Sequence, residues 1–350
     1  MNPALLAHFA EQAHFCEAYG SPFTARLIEA MARDLEGGGP TAELVGDWPS
    51  SPRADAVSLR LAGALHTAAL SGRDPALAAE YPALRPAWDA AAVWRVARAF
   101  LARERTWVAE FVRSAPQTNE TRRAIALLPG FLTLAARFDL PFDMLEIGAS
   151  AGLNQCWDRF AYRTASWSWG PSSPVQIDTD WRGPAPPLDV RPNVRSRAAC
   201  DLEPLDLRSH GERLRLRAYI WADQADRLAR FDAAAELAVA NDVRVERADA
   251  AVWLEQRLSH RAADALTVVY HSVFYQYPPQ QTRERIAAAI ERAGCAAAAP
   301  LAWLRLEPEA VLGGPRESLR YLIDLITWPG GERRTLATTD GHVRFVDARG

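Results

Sequence analysis

The sequence predicts an α/β protein: a mostly parallel, doubly wound sheet in the second half, preceded by an all-helical first half. Three observations predict it. Up to residue 138 the apolar residues recur at helical spacing and no run alternates like a strand. From residue 139 onward, short apolar runs alternate with helical stretches, as strands and crossover helices do in such a sheet. The two textures meet at Pro141, just before Phe142-Asp143-Met144-Leu145-Glu146-Ile147. On this basis a helical domain is expected over 1–138 and a sheet domain over 139–350, with an insertion at about 163–199.

In the first half, Ser21-Pro22 reads as an N-cap followed by proline at the first helical position. Phe23, Leu27, Ile28, Met31 and Leu35 follow at helical spacing until Gly37-Gly38-Gly39 stops the run. A second helix carries Val57, Leu61 and Leu65 on one face, and an amphipathic third covers 88–112. A fourth covers 119–138, with Ile125, Leu128, Leu132 and Ala136 inward. In the second half, strands are expected at 142–147, 197–201, 242–248, 266–273 and 300–306, and helices over 223–240 and 281–293. Segment 319–347 reads as a closing antiparallel hairpin that uses an Asp340-Gly341 turn. The insertion is rich in Trp, Pro, Ser and Arg without a period, which predicts irregular or short-strand structure. Its Trp167, Trp169 and Trp181 either pack together or wall a pocket.

Composition narrows the function classes. The net charge of −3 does not suggest a general nucleic-acid binder, and leaves a local basic groove open. All 40 basic residues are arginine. Schiff-base and pyridoxal-phosphate chemistry, Walker-type phosphate loops and protein kinases each need a lysine amine, so all four are excluded. The four cysteines show no zinc spacing, and no metal is expected. No stretch approaches about 18 uninterrupted apolar residues and no signal peptide is evident, so a cytoplasmic protein without a membrane partner is expected.

The chemistry-bearing segment is Glu146-Ile147-Gly148-Ala149-Ser150-Ala151-Gly152-Leu153-Asn154, where a strand delivers an acid into a small-residue loop that opens a helix. Three motifs compete for it. G-x-G-x-x-G fails, because Ser150 and Leu153 stand where two of its glycines belong, so NAD is not expected. G-x-S-x-G fits Gly148, Ser150 and Gly152 and would make Ser150 a nucleophile with His271 or His342, but the helical first half leaves no strands before such an elbow. Acidic-x-G-x-x-x-G fits Glu146, Gly148 and Gly152 and suits a first strand that follows a helical cap. That is the leading motif of class I methyltransferases.

The runs Gln117-Thr118-Asn119-Glu120, Leu145–Asn154 with Asp158-Arg159, and Val269-Tyr270-His271-Ser272-Val273 with Gln276-Tyr277 resemble one bacterial family, catalogued as domain of unknown function 2332. The resemblance covers nearly the whole chain. That family brings no activity with it. Its second half is similar to class I methyltransferases, which implies a Rossmann-like sheet of that type and S-adenosylmethionine as the cofactor. Carried onto this sequence, the cofactor residues implied are Glu146, Gly148, Ala149, Ser150, Gly152, Leu153 and Asn154, with Ser150 departing from the glycine often found there. Asp201 would hold the ribose hydroxyls, and Asp249, between Ala248 and Ala250, would contact the adenine amino group. Either aspartate is equally an ordinary helix N-cap.

Ligands of open α/β sheets sit outside the carboxyl ends of the strands. Tyr270, His271, Tyr275 and Tyr277 cluster at one such end. His271 reads either as a general base, with Tyr270 and Tyr275 as catalytic neighbours, or as a histidine bonded inside the sheet. Tyr277 reads as a substrate contact or as core cover. Asn119, Glu120 and Arg123 start a helix just before the sheet and serve as a substrate lid or as its cap. The leading expectation is an S-adenosylmethionine-dependent methyltransferase acting on a small molecule. A serine hydrolase using Ser150 and a non-catalytic ligand-binding or interaction protein are the alternatives.

Overall fold

A computed structural model describes residues 2–296 and 299–349. Helices account for the first 118 residues: α1 (Pro3–Ala18), α2 (Pro22–Glu36), α3 (Pro40–Val45), α4 (Val57–Leu70), α5 (Pro75–Glu80), α6 (Ala90–Arg103) and α7 (Arg105–Phe111). Helix α2 starts as its sequence dictates, with the Ser21 hydroxyl accepting from the Thr24 amide and Pro22 in the first turn. Phe23, Leu27, Ile28, Met31 and Leu35 are all buried in one core. The single helix expected over 88–112 is two helices, broken at Glu104. Glu104 ion-pairs with Arg73 at 2.7 Å, and Val108 and Val112 beyond the break are buried. These helices form one compact unit together with residues 209–232.

The second unit comprises 119–208 and 233–350. Helix α8 (Arg123–Arg137) leads into β1 (Phe142–Ile147). Next come β2 (Ala161–Arg163), β3 (Ser168–Trp169), β4 (Gln176–Asp178), β5 (Asp180–Arg182) and β6 (Val194–Asp201). After α9 (His210–Ala218) and α10 (Ala225–Ala240) the order is β7 (Glu246–Arg247), α11 (Ala250–Leu258), β8 (Leu266–Ser272), α12 (Gln280–Cys295) and β9 (Leu301–Pro308). The chain ends with β10 (Tyr321–Trp328), β11 (Glu332–Thr339) and β12 (Phe345–Ala348).

Nine of these strands make one mixed sheet in the order β5-β12-β11-β10-β9-β8-β1-β6-β7. Strands β7, β6, β1, β8 and β9 run parallel, and β9 through β12 are antiparallel neighbours. Residues alternate between the two sheet faces. On one face Leu145, Ile147, Val269 and Trp303 pack with α11 and α12. On the other, Phe131 of α8 stacks on Trp157 and meets Tyr270 edge-on, and Gly130 lies so close to Leu304 that a Cβ there would come within 2.4 Å.

Several expectations are corrected in detail. The helix after the small-residue loop is a 3-10 segment, Leu153–Arg159, with non-helical angles at Cys156. The third strand shrinks from 242–248 to two residues, and the fourth helix starts at Arg123 because 119–122 turn toward the loop. The hairpin β10–β11 turns at Pro329-Gly330-Gly331, where Gly330 and Gly331 supply positive φ. The expected Asp340-Gly341 turn joins the antiparallel strands β11 and β12, with Asp340 accepting from the His342 and Arg344 amides. The insertion holds the small sheet β3-β2-β4 plus β5, with Trp167 and Trp181 edge to face at 4.8 Å. No helix among the described residues is long and apolar enough to cross a membrane.

Candidate functional site

At the carboxyl end of β1, between parallel neighbours β6 and β8, the backbone takes positive φ at Gly148, Ser150 and Gly152. Glycine is required at two of these. A Cβ on Gly148 would sit 2.1 Å from the Phe274 ring, and one on Gly152 would sit 2.5 Å from Gln155 Nε2 and 2.8 Å from Val243. Ser150 holds the same left-handed region with a side chain, a mild strain.

The loop is tied down from within the protein. The Ala149 amide donates to Cys200 O at 3.1 Å and the Gly152 amide to Ala149 O at 2.8 Å. The Ser150 amide donates to Asp201 Oδ2 at 2.8 Å, and the Leu153 amide to Asn119 Oδ1 at 2.8 Å. Asn154 Nδ2 reaches back to Glu120 O at 3.3 Å, while its buried Oδ1 has no hydrogen-bond partner. In the sequence Asn119 and Glu120 fit a lid or a cap. The geometry makes Asn119 the cap of the 3-10 segment, as its carboxamide oxygen accepts one of the amides left free at a helix start. Asp201 uses its second oxygen on the Glu203 amide at 2.9 Å. Asp249 is the N-cap of α11, accepting from Ala251 and Val252.

Glu146 and Tyr270 are register partners on β1 and β8 and point to the α8 face. The Tyr270 hydroxyl donates to Glu146 Oε2 at 3.2 Å. The carboxyl is only 3% exposed, and burial pushes its pKa up to about 8, so it keeps its proton at neutral pH. Burial likewise drives the Tyr270 phenol well above its ordinary value.

His271, one residue on, points to the opposite face. It is fully buried. Its Nδ1 lies 2.6 Å from Glu307 Oε1, and Trp303 Nε1 lies 3.1 Å from its Nε2. An indole N–H only donates, so Nε2 accepts and Nδ1–H donates to Glu307. The imidazole is therefore neutral, in keeping with a pKa lowered by burial. With both nitrogens engaged, none is left to take a substrate proton. Tyr270 and His271 thus lie on opposite sides of the sheet and form no shared catalytic pair. Tyr275 stacks on His271 and donates its hydroxyl to Arg283 O at 2.7 Å, whereas Tyr277 is 74% exposed.

Arg123 Nη1 donates to Ser272 O at 3.3 Å, at the end of β8 beside the loop. Trp303, Glu307 and Arg122 also belong to this region and carry no motif in the sequence. For Glu307 one signal existed, an acid inside the apolar run of β9. Its Oε1 also accepts from the Phe274 and Tyr275 amides at 2.8 and 3.1 Å, which fixes the turn after β8.

Neither the curated proteins nor the solved structures contain a match to this chain. A family model does match, over residues 7–348, and the chain therefore belongs to the family described as "Uncharacterized protein conserved in bacteria (DUF2332)".

Proposed function

We propose that the protein binds S-adenosylmethionine at the 148–154 loop and transfers its methyl group to a small molecule. The observation that carries this reading is the strand order. From β1 the parallel strands run to β6 and β7 on one side and to β8 and β9 on the other, so the switch point lies between β1 and β8. Ligands of open α/β sheets bind in that crevice, outside the carboxyl ends. The glycine loop, Asn154, Asp201 and the end of β8 all gather there.

The residues present fit such a ligand on one specific point, the buried and unpartnered Oδ1 of Asn154, an acceptor that a ligand ammonium or N–H would satisfy. Because several loop amides are already bonded, recognition falls on side chains: Asn154 and Asp201 beside the backbone of Gly148, Ala149, Gly152 and Leu153. A bound S-adenosylmethionine would supply an electrophilic methyl group on sulfonium sulfur. The chain's share of the work is then to orient that ligand and an acceptor and to keep water out. Protonated Glu146 supports the loop from beneath without adding a charge. His271 acts as a positioning residue that, with Glu307, holds the 272–275 turn.

A serine hydrolase at Ser150 is less well supported. His271 has both nitrogens engaged. His342 follows β11, four strands from β1, which at about 4.8 Å per strand is roughly 19 Å away. The neutral, sequestered His271 does favour one second reading, a ligand-binding protein without turnover.

Calorimetry with S-adenosylhomocysteine tests the first claim, with a Kd below about 1 mM expected. No heat at that concentration would overturn it. Asn154→Leu should weaken binding at least about tenfold, because it removes the unpartnered acceptor. Binding without methyl transfer to any member of a broad acceptor panel would select the non-catalytic reading.

A further inference from the structure

We propose that Arg122 and Arg123 form an anion site at the rim of the β1–β8 crevice and that, if the methyltransferase reading holds, it receives a carboxylate or phosphate carried by the methyl acceptor. Buried and half-buried arginines elsewhere in this unit have their charge or most of their N–H groups answered from within the protein, although Arg197 Nη1 also lacks a partner. Arg197 pairs with Asp158 at 2.7 Å, Arg305 pairs with Asp324, and Arg261 donates to Ala293 O at 2.7 Å and to the Ala299 and Pro300 carbonyls. Arg122 and Arg123 differ. The Nε of each is buried with no hydrogen-bond partner, and no carboxylate among the described residues pairs with either guanidinium. The one side-chain hydrogen bond of Arg123 goes to Ser272 O. The nearby Glu120 carboxylate accepts the Arg122 backbone amide at 3.0 Å instead of its guanidinium.

Two adjacent cations with buried, unanswered N–H groups are costly as they stand, through desolvation and mutual repulsion. An anion removes both costs, and the planar guanidinium fork matches carboxylate and phosphate oxygens. The position suits a substrate. Ser272 closes β8, Asn119 and Glu120, separated from the arginines by Thr121, are bonded to Leu153 and Asn154 of the loop, and Arg123 opens the 15-residue helix α8, whose positive dipole end also favours an anion. The acceptor class implied is a small molecule with a carboxylate or phosphate group near its methylated atom.

The probes are inorganic phosphate and citrate, titrated by calorimetry at constant ionic strength against chloride, with S-adenosylhomocysteine titrated in parallel. Wild-type protein should bind at least one of the two anions with a Kd below about 10 mM. Arg122→Gln/Arg123→Gln should weaken that binding about tenfold or more while its affinity for S-adenosylhomocysteine stays within about twofold. The paired lysine variant, which keeps the charge but loses the fork, should fall between. Circular dichroism confirms that each variant is folded, and the lysine pair carries the test if the glutamine pair is not. Absence of anion binding, or binding unchanged in the double variant, overturns the site. A parallel loss of S-adenosylhomocysteine affinity in the glutamine pair shows that the arginines hold the cofactor's carboxylate and overturns the assignment to the acceptor. Arginine-dependent anion binding without any S-adenosylhomocysteine binding supports the site and removes the methyltransferase reading alone.

Discussion

Burial moves the Glu146 carboxyl from a pKa of 4.5 to about 8, against the opposing hydrogen bond from Tyr270. In the unfolded chain this group loses its proton near 4.5, and in the folded chain it keeps it until about 8. Across that window the unfolded state binds fewer protons, so stability is full below 4.5 and falls as pH rises, by at most about 1.4 kcal/mol per pH unit. Glutamine has the same shape and no proton to lose. Glu146→Gln should therefore gain on wild type by a few kcal/mol between about pH 5 and about pH 8 in urea unfolding. Superimposable pH profiles would mean that the carboxyl is ionised in the fold. Glu307 acts through its hydrogen bonds. Its Oε1 answers His271 and two amides, so Glu307→Ala leaves two buried donors and one part-buried donor unpaired and should cost about 3–5 kcal/mol. A loss under about 1 kcal/mol would show that water replaces the carboxylate there. None of this was legible residue by residue. Glu146 and His271 stand out in the sequence as ionisable groups in apolar runs, but their partners Tyr270 and Glu307 lie 124 and 36 residues away and declare themselves only through strand register.

Elements with strong apolar runs were readable, and those set by caps and turns were less so. Strands β1, β8 and β9 follow their hydrophobic runs, since strands buried on both faces need an uninterrupted series of apolar side chains. The region 242–248 has apolar residues at 243, 245 and 248, yet Val243 and Val245 lie against Gly152, where a Cβ would come within 2.8 and 3.0 Å of them, and only two residues pair with β6. Helix periodicity ran straight through Glu104 because neither proline nor glycine marks that break. At the start of α11 the sequence offered two roles for Asp249, and the geometry gives the capping one. Asp249→Ala should then cost about 1 kcal/mol, the ordinary value of a lost N-cap, and leave the affinity for S-adenosylhomocysteine unchanged. A matching drop in that affinity would return Asp249 to the adenine site.

At the scale of the whole molecule the two compact units are interleaved along the chain. The first needs residues 209–232, which leave the second after β6 and return to it within α10. Tyr219 lies so close to Gly63 that a Cβ there would come within 2.5 Å of its ring, and the buried His66 ring nitrogen lies 3.0 Å from Ala218 O. Trp221 and Ala222 join the core formed by Phe9, Phe23, Leu61 and Phe100. Hydrophobic periodicity suggested a boundary near 138, but periodicity reports which side of a helix is buried and is silent about what buries it. A fragment of residues 119–350 would carry α9 and Trp221 without the helices that cover them, exposing an apolar patch of the kind that drives association. Expressed alone, it should aggregate or bind an apolar dye strongly, and co-expression with residues 1–118 should restore a monodisperse species. A well-behaved fragment that excludes the dye by itself would show that 209–232 folds back onto its own half and that the first unit is dispensable for the second.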